Sequence, residues 1–243
     1  VIYRTTSGRT SSGEAIGILL LDTIVPFIPG DVANATTYDF PVRFSRVAGF
    51  SLDRAICQDP TIYPLLRDAA AELVRQGVRA ITADCGYMAL HQRRLATELG
   101  VPVFLSSLLQ IPFILAIIGA QRSLGILAAN GAALDHQLLA AVGVDDPSRL
   151  VIEGLEQQPA FHHFALAESG EIDVDAVRQE VVAAGIRVVK RNRDVGAILL
   201  ECSLMPPYGA ALQEALQMPV FDYISMINYV FSAVVKKSYH GFI

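Results

Sequence analysis

Cysteine is scarce in this chain, charge is sparse and basic clusters are missing. Each shortage removes a class of function. Its three cysteines, Cys57, Cys85 and Cys202, stand far apart in 243 residues. That spacing excludes a disulfide framework and a zinc-finger pattern. A net charge of −5, a pI near 5.5 and the lack of a Lys/Arg run argue against a nucleic-acid partner. Histidine is rare too, and the adjacent pair His162-His163 has no third ligand at a useful spacing, so no metal site is expected. The first residues, Val1 to Glu14, are rich in Ser, Thr and Gly and have no apolar signal-peptide core. They are expected to be flexible, and a cytoplasmic location is the simplest expectation. The missing initiator Met suggests a trimmed or incomplete start.

Charge is absent altogether from residues 99–121, and the mean hydropathy is +0.41. That length alone meets the first test for a membrane helix. Pro102, Ser106, Ser107, Gln110 and Pro112 interrupt it, leaving about a dozen residues for a buried helix and no membrane partner.

What is present is core material, 52% apolar residues, enough for one large domain or two small ones. Ala15–Leu21 is an apolar run ending at Asp22, the pattern of a strand buried in a parallel sheet. A loop with two prolines and a glycine, Pro26 to Asn34, follows, and loops of that length are usually functional or disordered. Residues 40–47 alternate as a strand. Asp59-Pro60 starts a helix that Gly77 ends. Further strands are expected at 79–84, 101–105, 123–131, 149–153, 196–200 and 218–221. Helices are expected at about 88–99, 107–119, 132–141, 173–193, 207–216 and 223–237. Strands alternating with helices specify an α/β fold with parallel sheets.

The chain repeats itself. Residues 80–107 laid on 197–224 without a gap give nine identities in 28 positions, including Cys85/Cys202, Met88/Met205 and Pro102-Val-Phe/Pro219-Val-Phe. Asp84 and Glu201, just before the cysteines, match in charge. A weaker repeat lays Gly17-Ile-Leu on Gly125-Ile-Leu and places Asp22 opposite Asn130. Two similar lobes with a cleft between them are therefore expected. Lobe 1 takes residues 15–115 plus 222–243 and lobe 2 takes 116–221. Ligands of parallel sheets sit at the carboxyl ends of the strands, and both thiols lie at such ends.

A thiol there, before a helix start, has backbone N–H groups and a helix dipole to stabilise its thiolate. The same N–H groups suit a substrate carboxylate. Two thiols flanking one carbon can remove a proton from one face and return it to the other, which inverts a stereocentre. Asp22 is also expected in the site, because a core does not tolerate an unpaired carboxylate. Cys57 has no repeat partner and reads as a bystander.

These residues reach a known pattern. Thr82-Ala-Asp-Cys-Gly-Tyr87 and Leu200-Glu-Cys-Ser-Leu-Met-Pro-Pro-Tyr208, with the strand end at Asp22 and the loop Pro29-Gly-Asp-Val-Ala-Asn34, resemble the aspartate/glutamate/hydantoin racemase superfamily over most of residues 15–235. The resemblance implies two Rossmann-like α/β lobes related by a pseudo-twofold. It implies a cofactor-independent isomerase, commonly a dimer, acting on a small carboxylate or hydantoin. Cys85 and Cys202 would be its acid/bases. Gly86, Tyr87 and Ser203 would contact a carboxylate, and Asp22, Asn34 and Asn130 would contribute to the cleft. Many amino-acid racemases of the superfamily carry Thr or Asn after the first cysteine and Thr-His after the second. Gly86-Tyr87 and Ser203-Leu204 depart from both, so the substrate stays open. A decarboxylase relative keeps one cysteine, and retention of both favours racemisation. The alternatives are a lyase, decarboxylase or cis–trans isomerase of a small dicarboxylate, or a two-lobed binding protein without chemistry. Arg43 is the nearest candidate, by sequence, to read a second carboxylate.

Overall fold

The computed structural model describes residues 2–242. Two parallel sheets form, with apolar runs buried on both faces at their centres and half-buried strands, Val42–Arg46 and Leu150–Gly154, at one edge of each. The first joins β1 (Ile16–Leu20), β2 (Val42–Arg46) and β3 (Ala80–Ala83) in the order β2-β1-β3. The second joins β4 (Ser123–Ala128), β5 (Leu150–Gly154), β6 (Val195–Leu200) and β7 (Val220–Phe221) in the order β5-β4-β6-β7. Every described pairing is parallel. The two orders are the same once β4 is laid on β1 and β6 on β3, as the repeat requires.

The first sheet lacks a full counterpart of β7. The strand expected at 101–105 is a single bridge, Ile81 to Val103. Ile81 N–H donates to Pro102 O and Phe104 N–H donates to Ile81 O, both at 2.9 Å. Pro102 has no N–H to extend the ladder.

Helices cover both faces. Asp59 caps a 3-10 turn at Pro60–Ile62, the helix Tyr63–Gln76 continues from it, and Gly77 stops it in the left-handed conformation. Its buried side chains Leu66, Ala70 and Leu73 join Leu19 and Ile81 in a core that runs on to Leu124, Ile126 and Leu199 of the second sheet. Each such buried Leu or Ile contributes about 1.5–3 kcal/mol. Asp173 caps the helix Val174–Arg191, accepting from the N–H groups of Asp175 and Ala176. Val177, Val181, Ala184 and Val188 carry that helix onto Leu127, Ile198 and Leu200. The last helix, Tyr223–Val234, returns to the first sheet and packs Tyr223, Met226 and Ile227 on Ile16, Ile18 and Ala80. The uncharged stretch 99–121 becomes the Val103 bridge, a 3-10 turn at Ser107–Gln110 and a seven-residue helix, Ile111–Ile117. Among the described residues, no helix is long and apolar enough to cross a membrane.

Hydroxyl groups tie one half to the other. Ser107 Oγ donates to the carbonyls of Leu200 (3.0 Å) and Glu201 (3.1 Å). Tyr87 OH accepts from Asn130 N–H at 2.8 Å and faces Asn130 O at 3.1 Å. Ser203 Oγ donates to Asp84 O. Gly30, at φ +98, lets the 26–34 loop reach the other half; an added Cβ would lie 3.0 Å from Pro207 Cα.

Candidate active site

β3 and β6 end alike. One residue past each comes an acid, then a cysteine. Asp84 N–H donates to Leu19 O at 3.0 Å, and its Oδ1 accepts from Leu21 N–H at 3.0 Å. Glu201 N–H donates to Leu127 O at 2.8 Å, and its Oε2 accepts from Ala129 N–H at 3.2 Å. Each acid thus clasps the end of the neighbouring strand and fixes the direction of the cysteine that follows. Both cysteines then enter a tight turn, with Met88 N–H on Cys85 O and Met205 N–H on Cys202 O, each at 3.1 Å. The helix expected from about Met88 begins as a 3-10 turn, Gly86–His91, and becomes α-helical only over Gln92–Glu98.

Cys85 and Cys202 line one cavity with Asp84, Gly86, Tyr87, Glu201 and Ser203. The free space is about 40 Å³, a narrow cavity. Cys85 is buried and Cys202 half-buried. Burial, then the Glu201 charge, then the Asp84 charge push the Cys85 thiol well up. Burial and then Glu201 do the same to Cys202. Backbone N–H groups of Tyr87 and Met88 oppose this at Cys85, and that of Leu204 at Cys202. Burial raises the Asp84 and Glu201 carboxyls to about 7 each and Asp31, in the 26–34 loop, to about 8. Among the described residues, no Arg, Lys or His lines the cavity.

Gly86 has a steric reason to be glycine. A Cβ there would overlap the Glu201 carboxyl, so Glu201 reaches from the second half across the first. Its carboxyl is 1% exposed as part of a buried residue, and its Oε1 has no hydrogen-bond partner among the described residues.

Five of the eight expected site residues come together here: Cys85, Cys202, Gly86, Tyr87 and Ser203. The hydroxyls of Tyr87 and Ser203 are already committed to Asn130 and Asp84. Asp22, Asn34 and Asn130 do not line the cavity. Asp22 is paired: Gly49 N–H donates to it at 2.9 Å and Arg46 at 3.1 Å, which closes the turn after β2. Asn34 Oδ1 accepts from Thr36 N–H at 2.8 Å, and its amide donates to Phe27 O at 2.9 Å, shaping the loop. Asn130 Oδ1 accepts from Ala132 N–H at 3.1 Å and caps a turn. Arg43 pairs with Glu14 at 2.9 Å, away from the cavity.

One wall has no precedent in the sequence reading. Residues 155–172 show no clear period, yet Pro159–Phe161 starts a helix that widens to a π-turn at His162–Leu166. Glu180 of the long helix accepts from Ala160 N–H (2.9 Å) and Phe161 N–H (2.7 Å) and anchors it. The turn presents Ala165, Leu166 and Glu168 to the cavity, facing Val25, Phe27 and Leu52. Glu168 is held at φ +50, a left-handed conformation costing a non-glycine residue about 1 kcal/mol or more. Its Oε1 is buried and, among the described residues, without a partner. π-turns inside helices occur often at functional sites.

No protein-family model matches the chain. It is 30% identical over 239 residues to dimethylsulfoniopropionate lyase 6 of Emiliania huxleyi (strain CCMP1516), covering 93% of this chain and 61% of that one. It is 30% identical over 236 residues to a dimethylsulfoniopropionate lyase of Durusdinium sp. clade D, covering 93% and 77%. The chain thus spans about three fifths of the first relative's length, 61%. Among solved structures it superposes on unliganded arylmalonate decarboxylase (TM-score 0.58, 16% identity, 93% of this chain and 94% of the other). It also superposes on an aspartate racemase homologue of Pyrococcus horikoshii OT3 (0.56, 16%, 91% and 99%). Allantoin racemase of Pseudomonas fluorescens gives 0.55 at 15% identity, covering 91% of both chains. The chain shares the fold of these decarboxylase and racemase structures. The expected isomerase class is corrected: the relatives similar in sequence are named lyases. A matched pair of thiols fits either class, because elimination also begins with removal of a proton beside a carboxylate.

Proposed function

Because the chain belongs to the dimethylsulfoniopropionate lyase family, we propose that it is a lyase that eliminates dimethyl sulfide from dimethylsulfoniopropionate without a cofactor. The observation that carries this reading is the charge of the cavity. It holds two thiols and three carboxyl groups and, among the described residues, no cationic side chain. A dicarboxylate would bring a second negative charge to that lining, whereas a substrate with one carboxylate and a sulfonium brings the opposite sign.

The base is Cys202, the less buried thiol. Its thiolate takes a proton from the carbon next to the substrate carboxylate. The C–H electron pair becomes the new C=C bond, and the C–S bond breaks with its pair leaving on sulfur. The products are acrylate, neutral dimethyl sulfide and a protonated thiol, which returns its proton to solvent. The leaving group needs no proton, so one base suffices. The substrate carboxylate sits at the turn after Cys85, where backbone N–H groups of Gly86 and Tyr87 favour an anion. Burial and then Glu201 push the Cys202 thiol up, toward its protonated form. A cation bound beside it opposes both and favours the thiolate.

The direct test incubates the purified chain with dimethylsulfoniopropionate and measures headspace dimethyl sulfide by gas chromatography and acrylate by liquid chromatography. Equal amounts of both, absent from a Cys202→Ala control, are expected. No dimethyl sulfide from well-folded protein ends the proposal.

A further inference from the structure

We infer that the cavity contains a cation subsite for a small methylated onium group, a sulfonium or quaternary ammonium, formed by the carboxyl groups of Glu168 and Glu201 within apolar walls. This rests on the lyase reading above and assigns its cationic end to named residues.

Two buried carboxyl oxygens without a hydrogen-bond partner among the described residues, Glu168 Oε1 and Glu201 Oε1, belong to residues lining the same cavity. They reach it from different elements. Glu201 follows β6 and is 1% exposed; Glu168 follows the π-turn. Burial of an acceptor with nothing to accept from is costly, and such atoms are rare in native proteins. Each is retained by a local arrangement that other residues would relieve. Gly86 leaves room for the Glu201 carboxyl. Glu168 occupies a left-handed position at φ +50, where glycine is the easy choice. A single ligand explains both.

Its chemistry follows from the walls. Val25, Phe27, Leu52 and Leu166 offer carbon, with one aromatic ring. An N–H-bearing ammonium seeks directed acceptors on every proton, and such walls do not provide them. A methyl-capped onium needs only a negative field and apolar contact, including an aromatic face. Two orphan carboxyl oxygens supply the field, and no Arg, Lys or His among the described lining residues competes for them.

The test uses two probes of the same shape: 3-(trimethylammonio)propanoate and its carbon isostere 4,4-dimethylpentanoate. Calorimetric titration compares them on the wild type, Glu168→Gln and Glu201→Gln. Glutamine keeps the size, and at 201 it keeps an acceptor for Ala129 N–H. Thermal melting checks that each variant is folded, and Glu168→Gln, on a half-buried turn, keeps the test available if Glu201→Gln is not. The wild type is expected to prefer the onium at least about tenfold, and each variant to reduce that preference to about threefold or less. Equal affinity in the wild type, binding of neither probe, or an unchanged preference in Glu168→Gln overturns the inference. Dimethyl sulfide release is scored separately. A wild type that prefers the onium yet releases none sinks the elimination and leaves the subsite. One that releases dimethyl sulfide with no preference sinks the subsite alone.

Discussion

Asp84-Cys85-Gly86 and Glu201-Cys202-Ser203 occupy the same place in two copies of one unit, and they differ by a methylene and a hydroxymethyl. Both acids use one oxygen to clasp the next strand, Asp84 on Leu21 N–H and Glu201 on Ala129 N–H. The extra methylene leaves the second oxygen of Glu201 free to cross to Gly86. In return, the side chain that Gly86 lacks is present at Ser203, where it bonds back to Asp84 O. Duplication thus supplied two equal frames, and small substitutions made one half a donor of charge and the other its receiver. A symmetrical pair of bases is what inversion needs; an asymmetrical pair is enough for elimination.

The largest expected effect separates the thiols. Cys202→Ala should lower dimethyl sulfide release about a thousandfold, within the range for losing a general base, while Cys85→Ala should lower it about tenfold or less. Equal losses would restore symmetry. The positions after the cysteines come next. Gly86→Ala should destabilise by about 1–3 kcal/mol through overlap with Glu201, and Ser203→Ala by about 1 kcal/mol through one lost hydrogen bond. Adding Glu201→Ala to Gly86→Ala should recover stability; thermal melts of the four-member cycle check it. If the two losses simply add, Glu201 is not what Gly86 accommodates.

A smaller effect concerns pH. Glu201 raises both thiols, so Glu201→Gln should move the rising limb of kcat/KM to lower pH. Asp84 acts on Cys85, and Asp84→Asn should move that limb less. The smallest effect is on stability. Asp31, Asp84 and Glu201 have folded values of about 8, 7 and 7, above ordinary carboxyl values near about 4. Between those limits the folded chain holds more protons than the unfolded one, so stability falls as pH rises from about 4 to about 8 and then levels. Tm measured across that range should decline, and Asp31→Asn should flatten the slope.

Much of this frame was readable from residues alone. Buried parallel strands have a distinctive apolar run, as in Ile16–Leu20, and helix caps such as Asp59 and Asp173 act within a few residues of themselves. The ungapped repeat carried the thiols because a duplicated position is long-range information written locally. Glu168 was not readable, since its neighbours 155–172 show no period and its meaning depends on Phe27 and Leu52, far off in sequence. Asp22, Asn34 and Asn130 lie off the cavity lining for a related reason. Polar residues at strand ends and loops serve turns as readily as ligands, and here each found a nearby backbone partner.

The hydroxyl ties of Ser107, Tyr87 and Ser203 also bear on motion. Rocking the two sheets apart would break several of these bonds at once, and the π-turn is pinned as well, by two contacts to Glu180 and by the buried Phe161, Phe164 and Ala165. The two thiols are therefore held on one stiff frame. Amide hydrogen exchange should run faster at 167–171, a mostly exposed stretch after the π-turn, than in β3 or β6. A frame so pinned keeps the spacing of the two thiols across a free space of about 40 Å³ from drifting.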